Sequence, residues 1–218
     1  FPTISADIIT DNLKIENGAS LTIAKEGSLK LTKNLINNGT LTMQSDSNEF
    51  ASLIVEENSY GETVYLANGN ADDTYSGNIK YERWVADEGT NEWDFIGSPV
   101  EGQTMSAFVS ANSDLAEQSP QYAIGEFSND GETDTAIAMY TNYTSDGSGA
   151  GNVSANSFVM GKGYTMATSN DEVNGGATLD FTGSVMTRSL TYAIDNNASL
   201  SKLLETLYGK EDIFDDFG

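Results

Sequence analysis

Short segments that alternate apolar and polar residues recur along the first 55 residues of the chain. Alternation places both ends of such a segment on one face, as in a brief β-strand. Asn17-Gly18, Glu26-Gly27 and Asn38-Gly39 lie between the segments and supply turn residues that tolerate positive φ. The repeated segments are Leu13-Lys14-Ile15, Leu21-Thr22-Ile23, Leu29-Lys30-Leu31, Leu41-Thr42-Met43 and Leu53-Ile54-Val55.

Two architectures fit these repeats: consecutive antiparallel hairpins, or the rungs of a short parallel β-helix. The segments are too short to make a stable hairpin meander alone. Stacked repeats would instead bury a continuous ladder of equivalent Leu and Ile positions. The pattern therefore favours a β-solenoid over residues 1–58.

Longer strand patterns with aromatic residues follow and indicate an antiparallel β-sandwich or jelly-roll-like domain over residues 59–196. Clusters of Gly, Asn, Asp and Ser separate them. The predicted strands cover 63–66, 78–85, 92–96, 121–127, 136–143, 163–167, 177–181 and 189–194. We expect six aromatic residues between the sheets: Trp84, Phe95, Tyr122, Phe127, Tyr140 and Phe181.

Two segments have helical spacing. Residues 106–112 predict a short helical turn, because Met105, Phe108 and Val109 share one face. Residues 198–208 place four leucines along one face of a helix, which Gly209 would end. Residues 197–218 are thus expected to form a short helix and an acidic tail. The fold class predicted for the whole chain is all-β, with a solenoid, a sandwich and this helix.

Charge narrows the range of partners. The 218 residues carry 33 Asp and Glu against 10 Lys and Arg, a net charge of -23. Such a field repels phosphate backbones and anionic lipid, so nucleic acid is not an expected partner. The chain has no run of about 18 apolar residues, and we therefore expect no membrane insertion.

Catalytic chemistry is restricted because the chain has neither His nor Cys. This excludes His-based triads, thiol catalysis and zinc sites built from imidazole or thiolate. We expect no catalytic residues and no enzymatic activity. A carboxylate glycosidase is the remaining enzymatic hypothesis; its acids would be Glu88 and Glu92, near Trp93, although a solvated acidic loop explains them more simply.

Calcium is the one cofactor that the sequence suggests. Asp130, Glu132 and Asp134 offer hard oxygen ligands at alternate positions in one loop, without the spacing of an EF-hand. A plain acidic turn is the other reading of the same residues. These three residues are the predicted metal site, and no cofactor is otherwise expected.

Four motifs occur in an order typical of one protein family. They are residues 81–85, the tryptophan-led run 93–108 that contains Ser98-Pro99, Gly161-Lys162-Gly163-Tyr164, and residues 179–183. This order resembles a module of large secreted, surface-attached proteins of Bacteroidetes bacteria, which are commonly exported by the type IX system. The resemblance implies an extracellular or outer-surface location.

Two functions remain open at this point. The first is a non-enzymatic structural or adhesive module whose exposed strand edges contact other copies of itself or other surface proteins. The second is a carbohydrate-binding module in which Trp93, Tyr164 or another exposed aromatic residue stacks on sugar rings. Burial of the aromatic residues would count against the second function, and coplanar exposed rings would favour it.

Overall fold

The computed structural model describes residues 1–55, 78–87, 89, 93–128, 139–159, 161–169 and 175–185. This part of the chain is mostly β-strand with one short helix, an all-β composition that agrees with the prediction. The elements are β1 (Thr3–Ile4), β2 (Asp7–Ile15), β3 (Ser20–Ile23), β4 (Ser28–Asn37), β5 (Thr40–Met43), β6 (Ser52–Val55), β7 (Asn78–Ala86), β8 (Asp94–Gly97), β9 (Val100–Glu101), α1 (Met105–Ala111), β10 (Glu117–Gln118), β11 (Gln121–Ser128), β12 (Met139–Thr144), β13 (Gly163–Met166) and β14 (Gly176–Val185).

The N-terminal strands pair in parallel. In one sheet β1, β3, β5 and β7 follow one another, and in a second sheet β2, β4 and β6 do the same. Equivalent positions of the repeated segments are neighbours, as in the row Ile23, Met43 and Tyr81. Parallel pairing excludes the hairpin alternative for these strands.

The apolar ends of the repeated segments face inward, as predicted. Ile23, Leu29, Leu31, Leu41 and Met43 are all at most 2% exposed. Side chains of one strand thus cover those of the next, and the burial of these rows stabilises the parallel sheets.

Glycines at the turns serve two different purposes. Gly18 has φ +77°, the conformation that its turn position predicts. Gly39 is needed for another reason, because a Cβ there would lie 2.2 Å from the carbonyl oxygen of Ala19 on the preceding turn. Gly27 approaches the carbonyl oxygen of Ile4 in the same way, at 2.4 Å.

Strand β7 joins the parallel part to the antiparallel part. It pairs in parallel with β5 and, along its other edge, antiparallel with β14 over nine residue pairs. Strand β9 completes this six-stranded sheet. The boundary predicted between residues 58 and 59 falls outside the described residues, and the hydrogen-bonded sheet continues from one side of it to the other.

The other antiparallel strands form a five-stranded sheet with the order β10-β11-β13-β8, in which β12 pairs with the second edge of β11. Phe181 of the six-stranded sheet contacts Phe108 of α1 and Phe158, with ring centroids 4.7 and 5.7 Å apart. Phe158 in turn contacts Tyr164 of the five-stranded sheet. Aromatic packing therefore links the helix and the two sheets.

The predicted helical turn is confirmed by α1. Thr104 caps its first turn, since the Thr104 hydroxyl accepts a hydrogen bond from the backbone N–H of Ala107 at 3.2 Å. The helix buries Met105 and Phe108 on one face.

The prediction of six core aromatic residues was wrong for half of them. Phe181 is fully buried, and Trp84 and Tyr122 are half-buried. Phe95, Phe127 and Tyr140 lie in predicted strands but are exposed on the opposite face. The predicted strands 63–66 and 189–194 and the C-terminal helix lie outside the described residues. Among the residues that the structure does describe, no helix has the length and apolarity that a membrane crossing requires.

Candidate functional site

The register of four strands defines the two faces of the five-stranded sheet. Phe95 of β8 pairs with Thr165 of β13, Thr165 with Gly125 of β11, and Gly125 with Asn142 of β12. Cross-strand partners point to the same side of a sheet. This row therefore shares one face, together with residues two positions away, including Phe127 and Tyr140.

The alternate positions form the inner face. Ile96, Ile124, Tyr164 and Met166 are at most 5% exposed and belong to the buried core. Asp94 and Glu126 occupy inner-side positions as the partners of Met166 and Tyr164. The row that contains Phe95 consequently belongs to the outer face.

Three aromatic rings lie in contact on this outer face. Phe95 is 72%, Phe127 48% and Tyr140 44% exposed. The Tyr140 ring centroid is 5.7 Å from that of Phe95 and 5.2 Å from that of Phe127. We call these three residues the aromatic face. A contiguous exposed apolar group of this kind marks interaction surfaces in soluble proteins.

The three rings are inclined to one another. The planes of Phe95 and Tyr140 meet at 62°, and those of Phe127 and Tyr140 at 55°. The aromatic face is thus a ridged surface and not the coplanar platform that would most directly favour sugar stacking.

Glycines lie beside and beneath the rings. Gly97 and Gly163 pair with each other next to Phe95, and a Cβ added to Gly163 would meet open space. At Gly125 a Cβ would lie 2.2 Å from the Thr165 hydroxyl oxygen, so the side chains around it occupy its place. The backbone beside Phe95 is therefore accessible at Gly97 and Gly163, whereas Gly125 is buried against Thr165, which is itself 4% exposed.

The outer face carries no charged side chain in the paired rows just described. Its members are Phe95, Gly97, Gly125, Phe127, Tyr140, Asn142, Gly163 and Thr165. This neutral surface contrasts with a chain of net charge -23.

An ion pair supports the inner side of the same sheet. The Glu126 carboxylate accepts hydrogen bonds from Lys162 and from the Tyr143 hydroxyl. Burial raises the pKa of Glu126, but the bonds from Lys162 and Tyr143 outweigh it and hold the pKa below its usual value. Burial and Glu126 raise the pKa of Tyr143 far above its usual value. This cluster links β11, β12 and the segment before β13, and it is a structural support.

The two predicted sugar-stacking residues differ in position. Trp93 directly precedes β8 and is 37% exposed, so its side chain is accessible. Tyr164 is 1% exposed, and its hydroxyl accepts a hydrogen bond from the backbone N–H of Val159 at 2.9 Å. A buried ring cannot stack on a sugar, and in this structure Tyr164 is a core residue. The signal that sequence reasoning missed is the outer-face position of Phe95, Phe127 and Tyr140.

The predicted metal ligands Asp130, Glu132 and Asp134 lie outside the described residues, as do Glu88 and Glu92. Over the ranges that the structure describes, no group of three or more Asp and Glu side chains is arranged to hold a metal ion.

A second unusual surface lies at the first parallel strands. Strand β1 ends the six-stranded sheet and β2 ends the three-stranded sheet. Ile8 of β2 occupies the row of Leu29 and Leu53, yet it is 42% exposed whereas Leu29 is 1% exposed. Ile9 is 70% exposed. We call strands β1 and β2 the open end.

Comparison with family models, curated proteins and solved structures returned no match to this chain.

Proposed function

We propose that the protein is a non-enzymatic structural or adhesive module of the extracellular space or cell surface. In this proposal the two parallel sheets are a short β-solenoid that leads into a β-sandwich. The module acts by contact, through the open end, with other copies of itself or with other surface proteins. The exposure of Ile8 is the observation that carries the proposal.

Ile8 belongs to a row of stacked residues with Leu29 and Leu53. Each inward-facing residue of a parallel stack is covered by its equivalent on the next strand, as Leu29 is covered on both sides by Ile8 and Leu53. Ile8 has such a neighbour on one side among the described residues. A further β-strand on β2 would bury Ile8 and pair with the edge of β2 that no described strand occupies. Both gains favour strand addition.

Charge makes the proposed self-association sensitive to salt. Two copies of a chain with net charge -23 repel each other, and dissolved salt screens that repulsion. Association through an apolar edge should therefore strengthen between 0.05 and 0.5 M NaCl, where the Debye length falls to a few Å.

Size-exclusion chromatography with light scattering tests the proposal, run with calcium and with chelator. The wild-type chain should form a defined oligomer or fibre, and Ile8→Asp should return it to the monomer. Val159→Asp is the matched control, because Val159 is 47% exposed and lies outside the strands. A wild-type monomer at high concentration and high salt would contradict self-assembly. Oligomers retained by Ile8→Asp would contradict the open end as the contact.

Calcium dependence is a separate part of the proposal. If Asp130, Glu132 and Asp134 bind calcium, the metal should raise the melting temperature of the wild-type chain. The triple variant with Asn, Gln and Asn at these positions should lose that increase. Equal melting temperatures of the wild type in calcium and in chelator would remove calcium from the proposal.

A second candidate function is carbohydrate binding. The aromatic face supports it, because exposed rings that contact one another provide apolar surface for the C–H groups of a sugar. The surface-protein resemblance of residues 93–108 is compatible with both candidates.

A further inference from the structure

We infer that the aromatic face binds an uncharged polysaccharide chain, which lies across Phe95, Tyr140 and Phe127. This inference rests on carbohydrate binding, the second candidate function, and specifies the ligand class and the residues. Three observations support it: the position of the rings, the absence of charged side chains from the described paired rows of the outer face, and the accessible backbone at Gly97 and Gly163.

The rings are placed for an extended ligand. They come from β8, β12 and β11, and Tyr140 contacts both of the other rings, so the apolar surface crosses several strands. A polymer that presents alternating C–H and hydroxyl groups can contact successive rings along such a line. Ring planes inclined at 55° and 62° suit a twisted chain better than a flat crystalline surface.

The distribution of charge on the protein favours a neutral ligand. The outer-face positions in the paired rows hold Gly, Thr, Asn, Phe and Tyr, which offer no cation to an anionic sugar. The net charge of -23 adds repulsion against uronates, sulfated sugars and phosphorylated polymers. A neutral glycan meets no such repulsion.

Glycine and amide groups complete the surface. Open space above Gly163 lets a ligand approach the backbone beside Phe95. Asn142 lies in the same row as Phe95 and is half-buried, and the Tyr140 hydroxyl belongs to an exposed side chain. These groups offer hydrogen bonds to sugar hydroxyls at the border of the apolar surface.

Native affinity electrophoresis provides the test. The gels contain hydroxyethylcellulose, mixed-linkage β-glucan or galactomannan as neutral probes, and polygalacturonate as the anionic probe. At least one neutral polysaccharide should retard the wild-type protein, and its apparent Kd should not change between 0.05 and 0.5 M NaCl. Phe95→Ala combined with Tyr140→Ala should raise that Kd at least tenfold.

Controls separate binding from folding. Phe50→Ala is the matched variant, because Phe50 is 56% exposed and contacts Arg83 away from the aromatic face. It should bind like the wild type. Far-UV circular dichroism should agree between the double variant and the wild type. The loss of the ring contacts should lower the melting temperature of the double variant by a few degrees and leave it folded at the assay temperature. Tyr140→Phe, which keeps the ring, should retain most of the affinity.

The outcomes that overturn the inference are distinct. Retardation by polygalacturonate alone would refute the neutral ligand and leave carbohydrate binding standing. No retardation by any polysaccharide would refute both. Neutral-glycan binding that survives the double alanine variant would place the site elsewhere. If the wild type forms an oligomer, the double variant alone is monomeric and no glycan binds, the aromatic face is a contact between copies instead.

Discussion

The side chain of Asn112 pairs with the backbone of Asp180 as a neighbouring strand would. Its Oδ1 accepts a hydrogen bond from the Asp180 N–H at 2.6 Å, and its Nδ2 donates to the Asp180 carbonyl oxygen at 3.1 Å. The same Nδ2 donates to the Phe108 carbonyl oxygen at 2.8 Å. Asn112 is 6% exposed. From this buried position its side-chain amide forms hydrogen bonds both to the last turn of α1 and to the edge of β14.

Substitution of Asn112 should show that both halves of the amide are needed. Asn112→Ala leaves buried backbone groups unpaired and should lower the free energy of unfolding by about 1–3 kcal/mol. Asn112→Asp should lower the free energy of unfolding more than Asn112→Ala does at pH 7, because the second carboxylate oxygen would face the carbonyl oxygens of Phe108 and Asp180. Urea unfolding measures both.

The pH dependence of Asn112→Asp provides a further check. A buried carboxyl that faces carbonyl oxygens has a raised pKa in the folded state. Its protonated form can donate a hydrogen bond, so the variant should regain stability as the pH falls and lose it as the pH rises. A loss that stays constant between pH 4 and 7 would contradict this account.

Two buried threonines, Thr165 in β13 and Thr168 just after it, should respond differently to valine. The Thr165 hydroxyl is buried and has no hydrogen-bond partner among the described residues. Thr165→Val removes an unpaired polar atom and should leave stability unchanged or raise it by up to about 1 kcal/mol. Thermal unfolding measures the change.

Thr168 is the matched comparison for Thr165. Its hydroxyl lies 3.2 Å from both the Val85 and Ala86 carbonyl oxygens and is fully buried. Thr168→Val should therefore destabilise the protein by about 1–2 kcal/mol. Equal effects of the two valines would contradict the assigned hydrogen bonding.

Two turn glycines should differ in their tolerance of alanine. Gly18→Ala meets open space and bears only the cost of a positive φ, about 1 kcal/mol. Gly39→Ala brings a Cβ against the carbonyl oxygens of Ala19 and Glu16, at 2.2 and 2.6 Å. It should cost about 2 kcal/mol or more, because backbone atoms of the preceding turn must shift. Chemical unfolding of both variants gives the order, and a larger loss for Gly18→Ala would contradict it.

Acid should weaken the five-stranded sheet through Glu126. The pKa of Glu126 is lowered in the folded state, so its stabilising contribution is present above the unfolded value of 4.5. That contribution is lost as the pH falls through the lower folded value. Glu126→Gln should remove this part of the acid dependence and cost less than about 1 kcal/mol at pH 7, since solvent screens the pair. Wild type and variant with the same pH profile from 5 to 2 would contradict the assignment.

The sequence predicted strand positions better than strand faces. The strand predicted at 121–127 is β11, and the apolar ends of the N-terminal repeats are buried as expected. Alternation failed at β8, where Phe95 and Ile96 are adjacent apolar residues on opposite faces. Phe95 has the larger side chain and was expected inside. The strand partner of Ile96, however, is the buried Tyr164, so Ile96 faces inward and Phe95 faces outward.

The site itself depended on information that a single sequence does not contain. The three rings of the aromatic face come from three strands. Strands β11 and β12 are consecutive in the chain, but only the pairing of β8 with β13 and of β13 with β11 brings Phe95 to the other two rings. Gly39 illustrates the same limit, because its requirement comes from a neighbouring turn and not from its own φ.

Strand β7 has a mechanical consequence for the chain. Its two edges belong to a parallel ladder with β5 and an antiparallel ladder with β14, so tension along its axis loads both ladders in shear. In shear the hydrogen bonds of a ladder share the force and must break together. Strand β1 has one neighbour among the described strands and can be peeled away one bond at a time, whereas β7 divides a load along its axis between two neighbours and should resist it more strongly.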